Sequence, residues 1–356
     1  MNKAPIVNRP EPILSAPPAL TYQRGADIPK TLAALQAGES VLITEFYSNG
    51  LELLQALRTS LRVQYSEPSF QGQRAFRAAY QRASQRVLLQ VENHALIVKK
   101  APKIGWLERL YPELDRFSLP FPQIQGLNSA WQWYLKGISI PGLRNKIYPY
   151  YGTYFPTRFE HIHLFDEWLK RYQGAKKTAI DVGIGSGVLA LLLMKVGFQQ
   201  VYGTDINPNA IIGLQESMAG TKLARKIELE YGQLFGTRTK PTELIVFNPP
   251  WLPIAAESNR LDEAIYYRER MFPEFFAEAK QRLLPDGKLV LLFSNLGQIT
   301  QASTTHPIET ELETGGRFQV ESFRTKKVKA ASKKTKRNQS WRKQEEVQLW
   351  VLTHQN

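Results

Sequence analysis

The stretch Asp181-Val-Gly183-Ile-Gly185-Ser-Gly187 limits most sharply what this chain can fold into. It follows a short apolar run, Thr178–Val182, and opens into a second, Val188–Val196. Glycines at alternate positions let the backbone turn tightly and approach a ligand closely. Strand, glycine turn and apolar helix together begin a βαβ unit, and the pattern continues. Val201–Asp205 reads as a strand, and Asn207 can cap the following helix with Pro208 at its first position. Ile227–Tyr231, Leu244–Phe247 and Lys288–Phe293 read as strands, and Phe272–Leu284 as a helix stopped by Pro285-Asp286-Gly287. Phe318–Phe323 and Val347–Leu352 can pair as an antiparallel edge. Strands alternating with helices predict a doubly wound α/β sheet, with its ligand site at the strand C-termini.

Those C-termini carry the polar residues. A nicotinamide-type G-x-G-x-x-G would need a sixth-position glycine where Val188 stands. The second strand ends at Asp205, whose carboxylate can accept both ribose hydroxyls of a nucleoside. The third ends in Tyr231-Gly-Gln233-Leu234-Phe235, where a polar side chain can meet an adenine edge. The fourth runs into Asn248-Pro249-Pro250-Trp251. An exocyclic or amide NH2 is a poor nucleophile because its lone pair is delocalised. The Asn248 side-chain oxygen and the Pro249 carbonyl can each accept one of its hydrogens, favouring the tetrahedral geometry of attack. The prolines lock the acceptors in place, and Trp251 can stack on a flat substrate.

With these residues in view, positions 150–295 resemble the class I methyltransferases carrying the "methyltransferase small" domain. They are similar to the HemK-type glutamine methyltransferases and to relatives acting on ribosomal RNA. The resemblance rests on DVGIGSG (181–187), GTDIN (203–207), GQLF (232–235) and FNPPWLP (247–253). It implies a seven-stranded Rossmann-like fold and S-adenosylmethionine as cofactor, held by Asp181, Gly183, Gly185, Gly187, Asp205, Ile206, Gln233, Leu234 and Asn248. It makes Asn248, Pro249, Pro250 and Trp251 the catalytic set. The chain departs from the glutamine methyltransferases at Gln233, where they have an acid, and at Trp251, where they have tyrosine. Just upstream, Tyr151-Gly-Thr-Tyr154-Phe-Pro156-Thr-Arg158-Phe-Glu160 is similar to the segment these families lay over the cofactor, with Pro156, Arg158 and Glu160 as pocket-shaping candidates and Arg158 a substrate contact.

Composition bounds the chemistry and suggests the partner. There is no cysteine, which excludes disulfides, cysteine–zinc sites, thiol nucleophiles and cysteine-bound iron–sulfur clusters. His161 and His163, without a third ligand nearby, do not make a metal site. No apolar run reaches the ~20 residues of a membrane helix, and the proline-broken start lacks a signal peptide's apolar block; a soluble cytoplasmic protein is expected. The formal net charge is +14 over 356 residues. Ten basic and no acidic residues lie between Arg324 and Lys343, including Lys333, Lys334, Lys336 and Arg337 as candidate substrate contacts. Arg58, Arg62, Arg74, Arg77, Arg82 and Arg86 form a second cluster. Such clustering suggests a polyanion, with nucleic acid first.

The expected organisation is a flexible proline-rich tail over 1–25, an α+β substrate-recognition domain over 26–145 and the methyltransferase domain over 146–356, with a basic insertion at 324–343. In the first domain, 31–36, 49–61 and 74–86 read as helices. Val87–Val91 and Ala95–Val98 read as a strand pair turning at Asn93. The expected acceptor is an exocyclic base amine of ribosomal or transfer RNA. Two alternatives are a protein glutamine on a ribosome-associated protein, and a degenerate fold that only binds RNA.

Overall fold

The computed structural model describes residues 5–16, 18, 20–66, 70–253, 266–328 and 344–355. Lys333, Lys334, Lys336 and Arg337 lie outside the described residues. The chain divides into two compact units, Asn8–Lys136 and Gly137–Asn356, residues 5–7 grouping with the latter. The division falls nine residues before the expected boundary at 145 because Ile138, Ile140 and Ile147 are buried in the second unit's core, Ile138 bridging to Ile147.

In the first unit, β1 (Thr21–Tyr22), β2 (Val41–Ile43) and β3 (Val87–Glu92) pair in parallel, while β4 (Ala95–Leu96) and β5 (Arg116–Pro120) run antiparallel to β3. The β3–β4 turn is made by Asn93 and His94, both with positive φ. Helix α1 (Ile28–Ala37) is capped by Asp27, whose carboxylate accepts from Lys30 N at 3.0 Å. Helix α2 (Tyr47–Gln64) buries Leu53, Leu54, Leu57 and Leu61, the stripe expected of an amphipathic helix. Helices α3 (Phe70–Ser84), α4 (Trp106–Leu110) and α5 (Phe121–Lys136) complete the unit. The proline-rich start corrects its expectation as a free tail. Ile13 and Ser118 exchange two backbone hydrogen bonds of 2.9 Å, Tyr111 donates to the Pro10 carbonyl at 2.7 Å, and Tyr22 is buried in β1. An extended, proline-rich backbone suits a sheet edge, where not every N–H is needed.

In the second unit, α6 (Glu160–Leu169) precedes β6 (Thr178–Val182), α7 (Val188–Lys195), β7 (Gln200–Asp205), α8 (Pro208–Met218), β8 (Ile227–Tyr231) and β9 (Thr242–Phe247). Two short strands, β10 (Leu252–Pro253) and β11 (Tyr266–Tyr267), pair beside the sheet. Helix α9 (Met271–Arg282) leads into β12 (Leu283–Ser294), followed by β13 (Phe318–Lys327) and β14 (Glu346–His354). The sheet order is β13-β14-β12-β9-β6-β7-β8. The five strands from β12 to β8 are parallel, and β14 is antiparallel to both of its neighbours. This is the expected seven-stranded doubly wound fold.

Its strands are apolar on both faces because helices cover both. Ala179, Val201, Val246, Val290 and Leu349 enter the core containing α7 and α8 residues, whereas Ile180, Ile245, Phe247, Leu291 and Trp350 enter the one containing α9. The basic insertion is shorter than expected, because Arg324, Lys326 and Lys327 belong to β13, paired with Leu349, Val347 and Glu346. An edge strand tolerates such charges, since one of its sides is open to water. Among the described residues, no helix is long and apolar enough to cross a membrane.

Candidate active site

The parallel sheet delivers four strand ends to one edge. At the end of β6, Gly183, Gly185 and Gly187 all have positive φ, with Gly187 capping α7. A Cβ on Gly185 would lie 3.3 Å from the Tyr154 carbonyl oxygen, and one on Gly187 only 2.8 Å from Leu214 Cδ2. Both the turn and its close neighbours therefore require glycine. The turn is pinned to the next strand: Gly185 N donates to Asp205 Oδ2 at 2.8 Å and Ile184 N to the Thr204 carbonyl at 2.8 Å. Asp205 Oδ1 accepts from Asn207 N at 2.8 Å. Burial raises the Asp205 pKa, and these two backbone N–H groups oppose the rise. Ile206 beside it is 44% exposed. Leu234 adopts a positive φ, and its carbonyl accepts from Thr204 Oγ1.

Asp181 lies beneath the turn and is only 1% exposed. Its Oδ2 accepts from Ala190 N at 2.9 Å, while Oδ1 has no hydrogen-bond partner. Burial pushes its pKa up to about 8, the Ala190 N–H opposes this, and the Asp205 charge adds to it.

The segment before α6 is tied across this edge. Asn207 caps α8, as its position predicts, and also donates from Nδ2 to the Gly152 carbonyl at 2.8 Å. Asn209, buried at the start of α8, donates to the Tyr151 carbonyl at 2.8 Å. These two amides bring Tyr154 over the glycine turn, with its hydroxyl beside the Asn248 side chain. Burial raises the Tyr154 pKa, and the neighbouring Asn248 amide counters the rise.

Asn248 follows β9 directly. Its Oδ1 is buried without a hydrogen-bond partner. Trp251 reaches both sides of the sheet: it packs against both cores, and its Nε1 donates to the Leu292 carbonyl at 3.4 Å. The His161 ring stands edge-on to the indole, 5.5 Å away at 88°. His161 is 2% exposed, neither ring nitrogen has a hydrogen-bond partner, and burial depresses its pKa to about 4.

The structure thus gathers Asp181, the three glycines, Asp205, Ile206, Leu234, Asn248, Pro249, Pro250 and Trp251 at the C-terminal edge of β6, β7, β8 and β9. Gln233 belongs to the same turn but presents an exposed side chain. Arg158 is engaged elsewhere, its guanidinium pairing at 3.1 Å with the buried carboxylate of Glu345. Sequence reasoning missed Tyr154, Asn209 and His161. Tyr154 and His161 lay in or beside the quoted upstream segment, but only folding shows that they meet Asn248 and Trp251. Asn209, one of several polar residues opening a helix, carried no signal of its own.

Residues 163–320 match the family model of the methyltransferase small domain. A Methanocaldococcus jannaschii protein bearing the name of a protein N5-glutamine methyltransferase is 26% identical over 192 residues, 51% of this chain and 92% of that protein. The ribosomal protein L11 methyltransferase of Clostridium perfringens is 30% identical over 135 residues, 33% of this chain and 42% of that protein, so less than half of the latter is spanned. Among solved structures, the ribosomal protein L11 methylase of Lactobacillus delbrueckii subsp. bulgaricus aligns at TM-score 0.39 and 19% identity, covering 58% of this chain and 83% of that one. The strand order and the glycine turn described above agree with that match: residues 163–320 are similar to the methyltransferase small domain, on a seven-stranded Rossmann-like sheet.

Proposed function

We propose that this methyltransferase uses S-adenosylmethionine to methylate a planar NH2 nitrogen, and that the acceptor is an exocyclic base amine of RNA. The observation that carries the chemistry is the buried, unpartnered Oδ1 of Asn248, whose side chain lies beside the Tyr154 hydroxyl. A buried acceptor without a partner is costly, about 1–3 kcal/mol, and a substrate N–H would relieve that cost. Accepting one N–H hydrogen leaves the nitrogen lone pair less delocalised and aimed from a fixed position.

The residues at the strand ends fit S-adenosylmethionine. The Gly185 cradle has no room for a side chain, the Asp205 carboxylate retains acceptor capacity for ribose hydroxyls, and exposed Ile206 and half-buried Leu234 offer apolar surface for adenine. Asp181 Oδ1 is the acceptor available to an amino group. When bound, the cofactor supplies an electrophilic methyl group. Asn248 and the Pro249 carbonyl orient the acceptor nitrogen, and the prolines keep both from moving. The Trp251 indole, held by the Leu292 carbonyl and the His161 edge, presents a flat wall for a base.

The RNA acceptor is supported by the +14 net charge and the ten cations between Arg324 and Lys343. A second reading, methylation of a protein glutamine, is favoured by the name of the M. jannaschii relative. The test is radiolabelled methyl transfer to total RNA and total protein from cells lacking the gene, followed by nucleoside and amino-acid analysis. Label in an N-methylated base supports the RNA reading, and label in N5-methylglutamine supports the second. Label on carbon or oxygen would overturn the NH2 chemistry.

A further inference from the structure

Helices α2 and α3 carry an arrangement used by neither the first unit's core nor the transfer chemistry. The Arg58 guanidinium lies over the Tyr80 ring, 4.9 Å from its centroid, and that of Arg62 over Phe76 at 5.9 Å. The two rings stack at 6.2 Å and 18°. Both pairs are spaced i, i+4, so each helix presents two neighbours on one face. As numbering rises along α2 it falls along α3, giving a ladder of arginines over a ladder of rings. Arg58, Arg62 and Arg77, the last adjacent to Phe76, are exposed. None of the three forms an ion pair with a described carboxylate. The acid on α2, Glu52, lies beside the Tyr22 hydroxyl, whose pKa is raised by burial and by this acid.

Two features separate this face from an ordinary solvated one. Between Arg58 and Arg86 there are six arginines, no lysine and a single acid, Glu67, whereas a merely soluble helix face mixes lysine with glutamate. Stacking on a ring also holds a guanidinium flat while its in-plane N–H donors stay free at the edge. That pre-ordering suits the bidentate recognition of phosphate, which lysine cannot make. Clamping α2 to α3 does not require these charges, because Leu53, Leu57, Leu61, Ala79 and Ala83 already supply buried apolar faces.

We propose that the arginine–aromatic face of α2 and α3, centred on Arg58, Arg62 and Arg77, docks the phosphate backbone of the RNA acceptor. This inference rests on the RNA reading of the acceptor. The test uses the full-length chain and a short fluorescein-labelled RNA hairpin, with binding measured across a salt series. The triple variant Arg58→Gln, Arg62→Gln, Arg77→Gln should bind about tenfold or more weakly near physiological salt. Its log–log salt slope should fall by roughly 2, since each lost phosphate contact removes about 0.7–0.9. The matching triple lysine variant should regain most of the slope but only part of the affinity. Arg77→Gln alone, which disturbs neither stacked pair, should still lower the slope by about 0.7–0.9, so the idea stays testable if the triple variant misfolds. Wild-type RNA binding with variants of unchanged affinity and slope overturns the docking face and leaves the acceptor reading intact. A wild type that does not bind RNA overturns both. Weakened RNA binding with label found only in protein glutamine keeps the docking face and overturns the acceptor reading.

Discussion

The two halves of the candidate site treat their polar groups in opposite ways. On the cofactor side, Asp205 has a backbone N–H on each carboxylate oxygen, and Thr204 ties β7 to Leu234, so the turn is held by bonds the protein makes to itself. On the acceptor side, Asn248 Oδ1 and both nitrogens of His161 are buried without hydrogen-bond partners. The first half is a finished scaffold that a ligand adds to. The second carries unmet hydrogen-bonding capacity, costing about 1–3 kcal/mol per group, which the proposed acceptor would relieve at Asn248. Binding and chemistry should therefore separate cleanly between the halves.

The sharpest way to break this comparison is Asn248→Ala. Removing a preorganised group that acts on the reacting atoms costs roughly 10²–10³-fold in rate, and transfer should fall by at least that much. Cofactor affinity, measured by calorimetry, should move by less than about twofold if, as proposed, Asn248 acts on the acceptor nitrogen. Turnover that survives within a few-fold would remove the orientation chemistry. A large loss of cofactor affinity would show that the halves are not separable.

Asp205→Ala is the reciprocal test. It removes a charge-assisted acceptor, worth about 1.5–3 kcal/mol, and frees the Gly185 N–H that it pins. Cofactor binding should weaken by an order of magnitude or more, while the rate at saturating cofactor should stay close to wild type. Unchanged affinity in a folded variant would sink the nucleotide-site assignment.

The same contrast explains what could be read from the sequence. Local features were legible: the glycine turn, Asp205 at a strand end, Asn207 as a cap and Asn248-Pro249-Pro250-Trp251 after β9 each declare themselves through spacing along one strand–turn–helix unit. Residues that act by meeting a distant element did not. Tyr154 matters because Asn207 and Asn209 fasten its segment over the glycine turn, and His161 because it meets Trp251 across the fold. The proline-rich start looked free because its partners, Ser118 and Tyr111, are about a hundred residues away in sequence. Arg324–Lys327 looked like part of a loop because charge disguises an edge strand whose exposed side needs no apolar residues.

Tyr154 joins the halves, so Tyr154→Phe asks how far orientation alone contributes. It keeps the ring on the glycine turn and removes only the hydroxyl beside the Asn248 amide. A neutral hydrogen bond contributes about 0.5–1.5 kcal/mol, so kcat should drop by roughly two- to tenfold with cofactor affinity unchanged. In an Asn248→Ala background the substitution should have no further effect. An equal loss in both backgrounds would mean that Tyr154 does not act through Asn248.

Asp181 is the exception on the cofactor side, and it yields the smallest expected effect. Its Oδ1 is unpaired, and burial pushes its pKa up to about 8 from an ordinary 3.8. Between those values the folded state holds a proton that the unfolded state has released. Stability from this group therefore falls as pH rises from about 4 to about 8. Asp181→Asn removes the titration but keeps an oxygen for the Ala190 N–H. In thermal melts without cofactor, the variant should gain on the wild type by a few degrees as pH is raised from 5 to 8. An amino cation placed at Oδ1 by the cofactor would instead favour the ionised carboxylate. Wild-type affinity should then increase with pH over this window, and that of the asparagine variant should not. Parallel melting curves together with parallel affinity profiles would show that Asp181 is already ionised, and that its place on the cofactor side resembles that of Asp205.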